Sequence, residues 1–146
     1  MKLRSLFFLA VVLVSSPAAA QLRITVDEGG SINQYMARYQ SVRDSGERVI
    51  IDGLCFSACT LVLGIVPLDR VCATENALLG FHQARPTNGS SDEIVTLVQT
   101  QRLMDVYPAK VRRWISRNGG LSSDLIFLQG KPLAAMVRRC RSAELL

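Results

Sequence analysis

The first half of the chain alternates between apolar and polar stretches whose periods change from strand to helix. Residues 22–26 alternate with the period of a half-buried strand, and the pattern stops at Gly29-Gly30, where glycine permits turns that a Cβ disfavours. Apolar side chains then recur at helical spacing over residues 32–39, behind Ser31 as a helix N-cap, and residues 44–46 end this predicted helix.

A second strand and helix are predicted in the next segment. Residues 49–51 form a short apolar strand of the kind buried in a parallel sheet, which we expect Asp52-Gly53 to break. Residues 57–66 read as a buried apolar helix, and residues 70–73 and 77–81 as further strands. This order predicts an α/β fold with parallel β-strands and crossover helices, in which ligand sites gather at the carboxyl ends of the strands.

The last third of the chain is predicted to be mainly helical. Ser90 and Glu93 form a capping box for a helix that Pro108 restarts and Gly119-Gly120 ends. Residues 125–128 are compatible with either a strand or a helix, and residues 133–137 form a short apolar element.

The N-terminal residues have the pattern of a secretory signal peptide. A basic start is followed by an apolar run over residues 6–14 and by Ala18-Ala19-Ala20 before Gln21. This run is too short to cross a bilayer, which needs about 20 apolar residues. We therefore predict a cleaved signal peptide over residues 1–20, one domain over residues 21–146, no membrane span after cleavage, and a periplasmic or secreted location.

Composition and charge narrow the class of protein. The 146 residues are 49% hydrophobic and 20% charged, which is typical of one globular domain. The formal net charge of +5 would fall by two with the loss of Lys2 and Arg4. Two arginine clusters remain, but no aromatic side chains for base stacking are interleaved with them, so we expect no nucleic-acid partner. They are Arg112, Arg113 and Arg117, and Arg138, Arg139 and Arg141.

The four cysteines, Cys55, Cys59, Cys72 and Cys140, are expected to form disulfides, because an exported chain meets an oxidising compartment. Three pairings are possible. If Cys55 and Cys59 share a helix they are poorly spaced for a bond, since i,i+4 Cβ atoms lie about 5–6 Å apart. That leaves the crossed pairings, of which we favour Cys59–Cys72 with Cys55–Cys140.

A zinc site built from Cys55, Cys59, Cys72 and His82 is the metal alternative. Its ligand spacing is unusual for zinc, and export favours oxidised sulfur, so we expect neither a metal nor another cofactor.

Three features with catalytic potential follow predicted strands. His82 is the single histidine, and histidine is the commonest general base near neutral pH. Ser57 lies where a strand passes into a helix, whose first N–H groups can stabilise an anion. Gly29-Gly30 would let the backbone approach a substrate closely. Acyl transfer requires a nucleophile, a base and hydrogen-bond donors, and these three features could supply the set at one sheet edge. A lone serine at such a position is more often a helix cap.

Together these motifs resemble the catalytic core of Clp-type serine peptidases, which have the crotonase-like fold. The resemblance lies in Gly29-Gly30-Ser31-Ile32, in Ser57-Ala58 at a helix start and in Phe81-His82-Gln83 after a strand, and it covers about residues 24–140. The segment 55–61 with residues 79–82 is similar to a group of exported, Clp-like bacterial proteins.

The resemblance implies roles for individual residues. Ser57 would be the nucleophile, His82 its general base, and the N–H groups of Gly30 and Ala58 the oxyanion hole. Asp124 lies within a residue of the position that the family's third catalytic residue occupies, so the site would be a Ser-His dyad or a triad. The chain is shorter than a typical Clp peptidase and lacks obvious ring-building segments, so we do not expect a processive chamber.

The resemblance thus implies an exported serine hydrolase, namely a peptidase acting on a peptide or protein substrate. The alternative is a catalytically silent periplasmic module that uses the same cleft to bind peptides. The sequence leaves the oligomeric state and the substrate open.

Overall fold

The computed structural model describes residues 20–86 and 93–145. Nearly all of the predicted signal peptide, residues 1–20, lies outside the described residues, and so does Ser90 of the predicted capping box.

The described residues form a mixed α/β domain with one curled sheet. The strands are β1 (Gln21–Asp27), β2 (Arg48–Phe56), β3 (Val71–Ala73), β4 (Leu78–Phe81), β5 (Ile126–Leu128) and β6 (Arg138–Arg139). The α-helices are α1 (Ile32–Asp44), α2 (Val62–Ile65), α3 (Glu93–Val106), α4 (Ala109–Arg117) and α5 (Gly130–Ala134). Short 3₁₀ helices span Ser57–Leu61, Leu68–Arg70 and Ser142–Glu144.

Strand β2 organises the sheet. On one side, β2 pairs in parallel with β1. On its other side, the first half of β2 pairs in parallel with β3 and the second half with β4. Strand β6 extends the sheet beside β3, also in parallel. The carboxyl ends of β1, β2 and β4 therefore meet at one edge of the sheet, as the α/β pattern predicts.

Strand β2 is longer than the sequence indicates, because Asp52-Gly53 does not break it. Ile51 pairs with Ile24 and Leu54 with Val26, so Asp52 and Gly53 together lie opposite Thr25 as a bulge. A Cβ on Gly53 would lie 1.9 Å from the carbonyl oxygen of Thr25, so only glycine allows this close approach. The strand consequently continues to Phe56, directly before Ser57.

Two further predictions change in the structure. Residues 57–66 form a 3₁₀ helix followed by the short α2 and not one continuous helix. Strand β5 pairs with β4 in the antiparallel sense, so the sheet is mixed and not wholly parallel. Residues 133–137 contribute to the end of α5 and a turn.

The predicted disulfide pairing is wrong. The bonds join Cys55 to Cys59 and Cys72 to Cys140, instead of Cys59 to Cys72 and Cys55 to Cys140. The prediction assumed one α-helix over Cys55 and Cys59, but Cys55 belongs to β2 and Cys59 to the 3₁₀ helix. The turn between them brings their Cα atoms to 5.3 Å, well within disulfide range. Two disulfides are compatible with an exported protein.

The core lies between the sheet and the helices. Tyr39 of α1, Ile50 and Ile51 of β2, Phe81 of β4 and Ile115 of α4 are almost completely buried. Within residues 20–86 and 93–145, none of the helices combines the length and apolar composition needed to cross a bilayer.

Candidate active site

A cleft of about 500 Å³ opens at the sheet edge where β1, β2 and β4 end. Its lining comes from the segments that follow these strands and from one side of α3. It includes Glu28, Gly29, Gly30, Ser31, Ile32, Asn33, Ser57, Ala58, His82, Ala84, Arg85, Pro86, Gln99 and Leu103. The cleft therefore brings together Ser57, His82, Gly30 and Ala58, which the sequence had singled out from three separate segments.

Ser57, which lines this cleft, has an unusual backbone conformation. Its φ is +55°, and among the described residues it is the one non-glycine residue with a positive φ. Residues other than glycine, asparagine and aspartate rarely adopt this left-handed region. The few that do so cluster at functional sites. The turn ends β2 abruptly and makes Ser57 the first residue of the 3₁₀ helix.

The Gly29-Gly30 turn packs directly against the Ser57 segment. A Cβ on Gly29 would lie 2.7 Å from Cβ of Ser57 and 2.9 Å from the main-chain nitrogen of Ala58. Gly29 also has a φ of +85°, which favours glycine. The N–H groups of Gly30 and Ala58 thus belong to two backbone segments in van der Waals contact beside the serine.

Asp27 holds this turn in place. Its carboxylate accepts a hydrogen bond of 3.0 Å from the Gly29 N–H, another from the Tyr35 hydroxyl, and an ion pair of 3.2 Å from Arg38. An aspartate that bonds the N–H two residues ahead is an Asx turn, so the spacing of Asp27 and Gly29 is a signal readable from sequence. The sequence analysis did not identify this role of Asp27.

The His82 segment is fixed from both sides as it leaves β4. The Gln83 N–H donates to the Ser122 carbonyl at 2.7 Å, and the Ala84 N–H donates to the Thr100 hydroxyl of α3 at 3.0 Å. His82 Nδ1 lies at hydrogen-bonding distance from the Gln83 carbonyl oxygen. Because a carbonyl only accepts, Nδ1 carries the proton, which in the neutral ring leaves Nε2 as an acceptor.

Burial lowers the pKa of His82, and the nearby positive charge of Arg85 lowers it further. The hydrogen bond to the Gln83 carbonyl raises the pKa, with an effect smaller than that of burial and larger than that of Arg85. The neutral imidazole, which is the form a general base needs, is therefore favoured at neutral pH.

Asp124 stands apart from the other predicted catalytic residues. It lies in the exposed turn before β5, where its N–H donates to the Ser122 hydroxyl at 3.2 Å, and it does not line the cleft. In the antiparallel pairing, Phe81 faces Ile126. This register places Asp124 on the backbone segment beside Gln83. The group that accepts the hydrogen bond from His82 Nδ1 is the Gln83 carbonyl and not the Asp124 carboxylate.

Two buried hydroxyl groups form a hydrogen-bonded chain that ends on the Ser57 backbone. The sequence analysis did not identify either of them. The Thr60 hydroxyl donates to the Ser57 carbonyl at 2.6 Å, and the Tyr107 hydroxyl lies 2.6 Å from the same Thr60 oxygen. Since the Thr60 proton is used, Tyr107 donates to Thr60. Burial raises the pKa of Tyr107 to about 12, so it keeps its proton. The signal in the sequence is a threonine three residues after the serine, a spacing of local side-chain to backbone bonds.

The cysteines leave no thiolate for a zinc site, because all four form disulfides. In the described parts of the chain, no three His, Cys, Asp or Glu side chains are grouped to hold a metal ion.

Comparison of the sequence with models of known protein families gives no match, and comparison with curated proteins gives none. The case for a function therefore rests on the residues of the cleft.

Proposed function

We propose that this protein is an exported serine hydrolase in which Ser57 is the nucleophile and His82 the general base. One observation carries the proposal: Ser57, His82 and the Gly29-Gly30 turn, from three separate segments, line a single cleft at the carboxyl edge of the sheet. The left-handed backbone of Ser57 adds support, because a sharp turn after a strand also exposes the nucleophilic serine in other hydrolases.

In the proposed reaction, Ser57 Oγ attacks a substrate carbonyl carbon while Nε2 of His82 takes the hydroxyl proton. The imidazolium then returns this proton to the leaving group as the acyl-enzyme forms. Water, deprotonated by the same Nε2, attacks the acyl carbon, the bond between this carbon and Ser57 Oγ breaks, and Oγ takes the proton back from the imidazolium. The Gln83 carbonyl would hold the ring in the tautomer that this cycle needs and favour the imidazolium formed in it.

The negative charge on the carbonyl oxygen needs donors in the transition state. The N–H groups of Gly30 and Ala58 are the proposed donors, since their segments touch beside Ser57. Such donors are each worth about 3–4 kcal/mol of barrier in related chemistry.

The finer assignments also belong to this proposal. We propose a Clp/crotonase-like fold, supported by the parallel strands β1, β2 and β4 with a helix between successive strands. We propose a periplasmic or secreted location, supported by the two disulfides, and a peptide or protein substrate, supported by the resemblance to Clp-type peptidases. The cleft volume is within the range of about 300–1,000 Å³ common for ligand sites.

The test is labelling with a fluorophosphonate, which reacts with activated serines. We expect one adduct at Ser57, mapped by mass spectrometry, and none in Ser57→Ala or His82→Gln. Ser31→Ala is the matched control, because Ser31 lines the same cleft and its side chain makes no capping hydrogen bond. This control should label like the wild type. A folded wild type that takes up no label would overturn the hydrolase and favour the silent peptide-binding module.

A further inference from the structure

The left-handed conformation of Ser57 requires a cause. A positive φ is energetically unfavourable for an L-residue. The residue keeps this conformation only where the surrounding structure enforces it. The hydrogen bond from Thr60 constrains the Ser57 carbonyl, but it acts on one side of the residue.

The Cys55–Cys59 disulfide constrains both sides. It spans a sequence separation of 4 with Ser57 at its midpoint, and both cysteines are completely buried. Cys55 is anchored in the sheet, where it pairs with Asp27 of β1 and Leu79 of β4. The Cys59 sulfur lies 3.6 Å from the Tyr39 hydroxyl of α1. The segment between two such fixed ends has room only for a compact turn.

The second disulfide differs in what it constrains. Cys72–Cys140 spans a separation of 68 and ties β3 to the segment after β6. A cross-link that closes a long loop removes more freedom from the unfolded chain than one that closes a short loop. The short disulfide therefore contributes less to global stability, while its position at Ser57 is local to the cleft.

We propose that Cys55 and Cys59 are positioning residues of the catalytic site, whose disulfide holds Ser57 in the conformation that presents Oγ to His82 and to the oxyanion donors. This inference rests on the proposed serine hydrolase. It assigns to the disulfide a role in the rate of acyl transfer and only a minor role in folding.

The test compares Cys55→Ala/Cys59→Ala with the matched control Cys72→Ala/Cys140→Ala. For each, the dependence of fluorophosphonate labelling on reagent concentration separates reagent affinity from the limiting rate, and circular dichroism gives the melting temperature. We expect the first variant to lose about tenfold to a hundredfold in limiting rate, with affinity little changed and a smaller fall in melting temperature than in the control. We expect the control to label at the wild-type rate while folded and to melt well below the wild type.

A second variant separates the loss of the disulfide from the loss of buried volume in the core. Cys55→Val/Cys59→Ala restores part of the buried volume without the bond and should show the same loss of rate. The Cys72→Ala/Cys140→Ala variant also keeps Cys55–Cys59 as its one disulfide, so reduction should lower its labelling rate and reoxidation should restore it.

The outcomes separate this inference from the function on which it rests. If the wild type labels at Ser57 and both bond-deficient variants label at the same limiting rate, the positioning role is overturned and the hydrolase stands. If the folded wild type does not label at Ser57, the hydrolase fails and the positioning role with it.

Discussion

His82 Nδ1 is hydrogen-bonded to the main-chain carbonyl of Gln83. In a Ser-His-Asp triad this nitrogen donates to a carboxylate, which orients the ring and stabilises its charged form. A carbonyl can orient the ring in the same way but carries only a partial negative charge. For the proposed hydrolase, we therefore expect a Ser-His dyad with a backbone acceptor and not a triad with Asp124.

Replacing Asp124 tests this assignment. We expect Asp124→Asn to leave the labelling rate at Ser57 within about a factor of two, whereas loss of a true triad carboxylate costs about four orders of magnitude. Asp105→Asn, which removes another exposed carboxylate, is the control for the change in net charge. A loss of a hundredfold or more, confined to Asp124→Asn, would place Asp124 in the catalytic machinery.

The lowered pKa of His82 predicts the pH dependence of labelling. The general base must be neutral, so the rate should rise with pH through the pKa of His82 and level off above it. Because burial lowers that pKa, the midpoint should lie below the ordinary value of 6.5. Arg85→Gln removes a positive charge that lowers the pKa and should move the midpoint to higher pH. A wild-type midpoint above 6.5 would contradict the assignment.

The same shift predicts a dependence of stability on pH. A histidine whose pKa is lower in the folded than in the unfolded protein binds its proton more readily when unfolded. Its contribution to stability is thus present above the unfolded pKa and is lost as pH falls through the folded pKa. Urea unfolding should show the wild type losing free energy of unfolding relative to His82→Gln between pH 7 and about pH 5. A constant difference across this range would contradict the prediction.

Gly29 and Gly30 are predicted to tolerate alanine differently. Gly29→Ala would set a Cβ at 2.6 Å from the Phe56 carbonyl oxygen at a φ of +85°. The backbone conformation alone costs about 1–2 kcal/mol, and relief of the clash would displace Ser57. We expect lower stability by chemical denaturation and slower labelling. In Gly30→Ala the nearest contact is the Tyr35 ring at an ordinary 3.5 Å, so its stability should stay near that of the wild type.

The Thr60 hydroxyl can be tested by a pair of close variants. Thr60→Val keeps the shape but leaves the Ser57 carbonyl and the Tyr107 hydroxyl without their partner, at a cost of about 1–3 kcal/mol in the free energy of unfolding. Labelling should slow as well, because the carbonyl that helps to fix Ser57 is released. Thr60→Ser retains the hydroxyl and should recover most of the rate. Equal rates in the two variants would mean that this bond does not position Ser57.

The two disulfides are predicted to contribute unequally to stability. In the chain-entropy model, a loop of the length closed by Cys72–Cys140 is worth about 4 kcal/mol and that closed by Cys55–Cys59 about 2 kcal/mol. Guanidinium unfolding of the two double-alanine variants measures both differences. A larger loss in Cys55→Ala/Cys59→Ala would contradict this ranking.

The local elements of the fold are largely readable from side-chain periodicity. The strand that becomes β1, the helix α1 and the restart of the helix at Pro108 each follow from a pattern within one segment. The end of β2 does not, because Asp52-Gly53 has the composition of a turn. Only the neighbouring Thr25 carbonyl, which requires glycine at position 53, shows that the strand continues as a bulge.

By itself, the sequence determined the residue types available for chemistry and the strands they follow, since these depend on local order along the chain. It therefore indicated that Ser57, His82 and Gly29-Gly30 could share a sheet edge. The tertiary structure alone decided which cysteines pair, which group accepts the hydrogen bond of His82 Nδ1, and which hydroxyl groups hold the Ser57 backbone. The Cys72–Cys140 bond and the contact of Tyr107 with Thr60 depend on segments that are far apart in sequence. The Cys55–Cys59 bond, the Gln83 acceptor and the bond from Thr60 to Ser57 are local in sequence, but they depend on a backbone conformation that packing against other segments fixes and side-chain periodicity does not show.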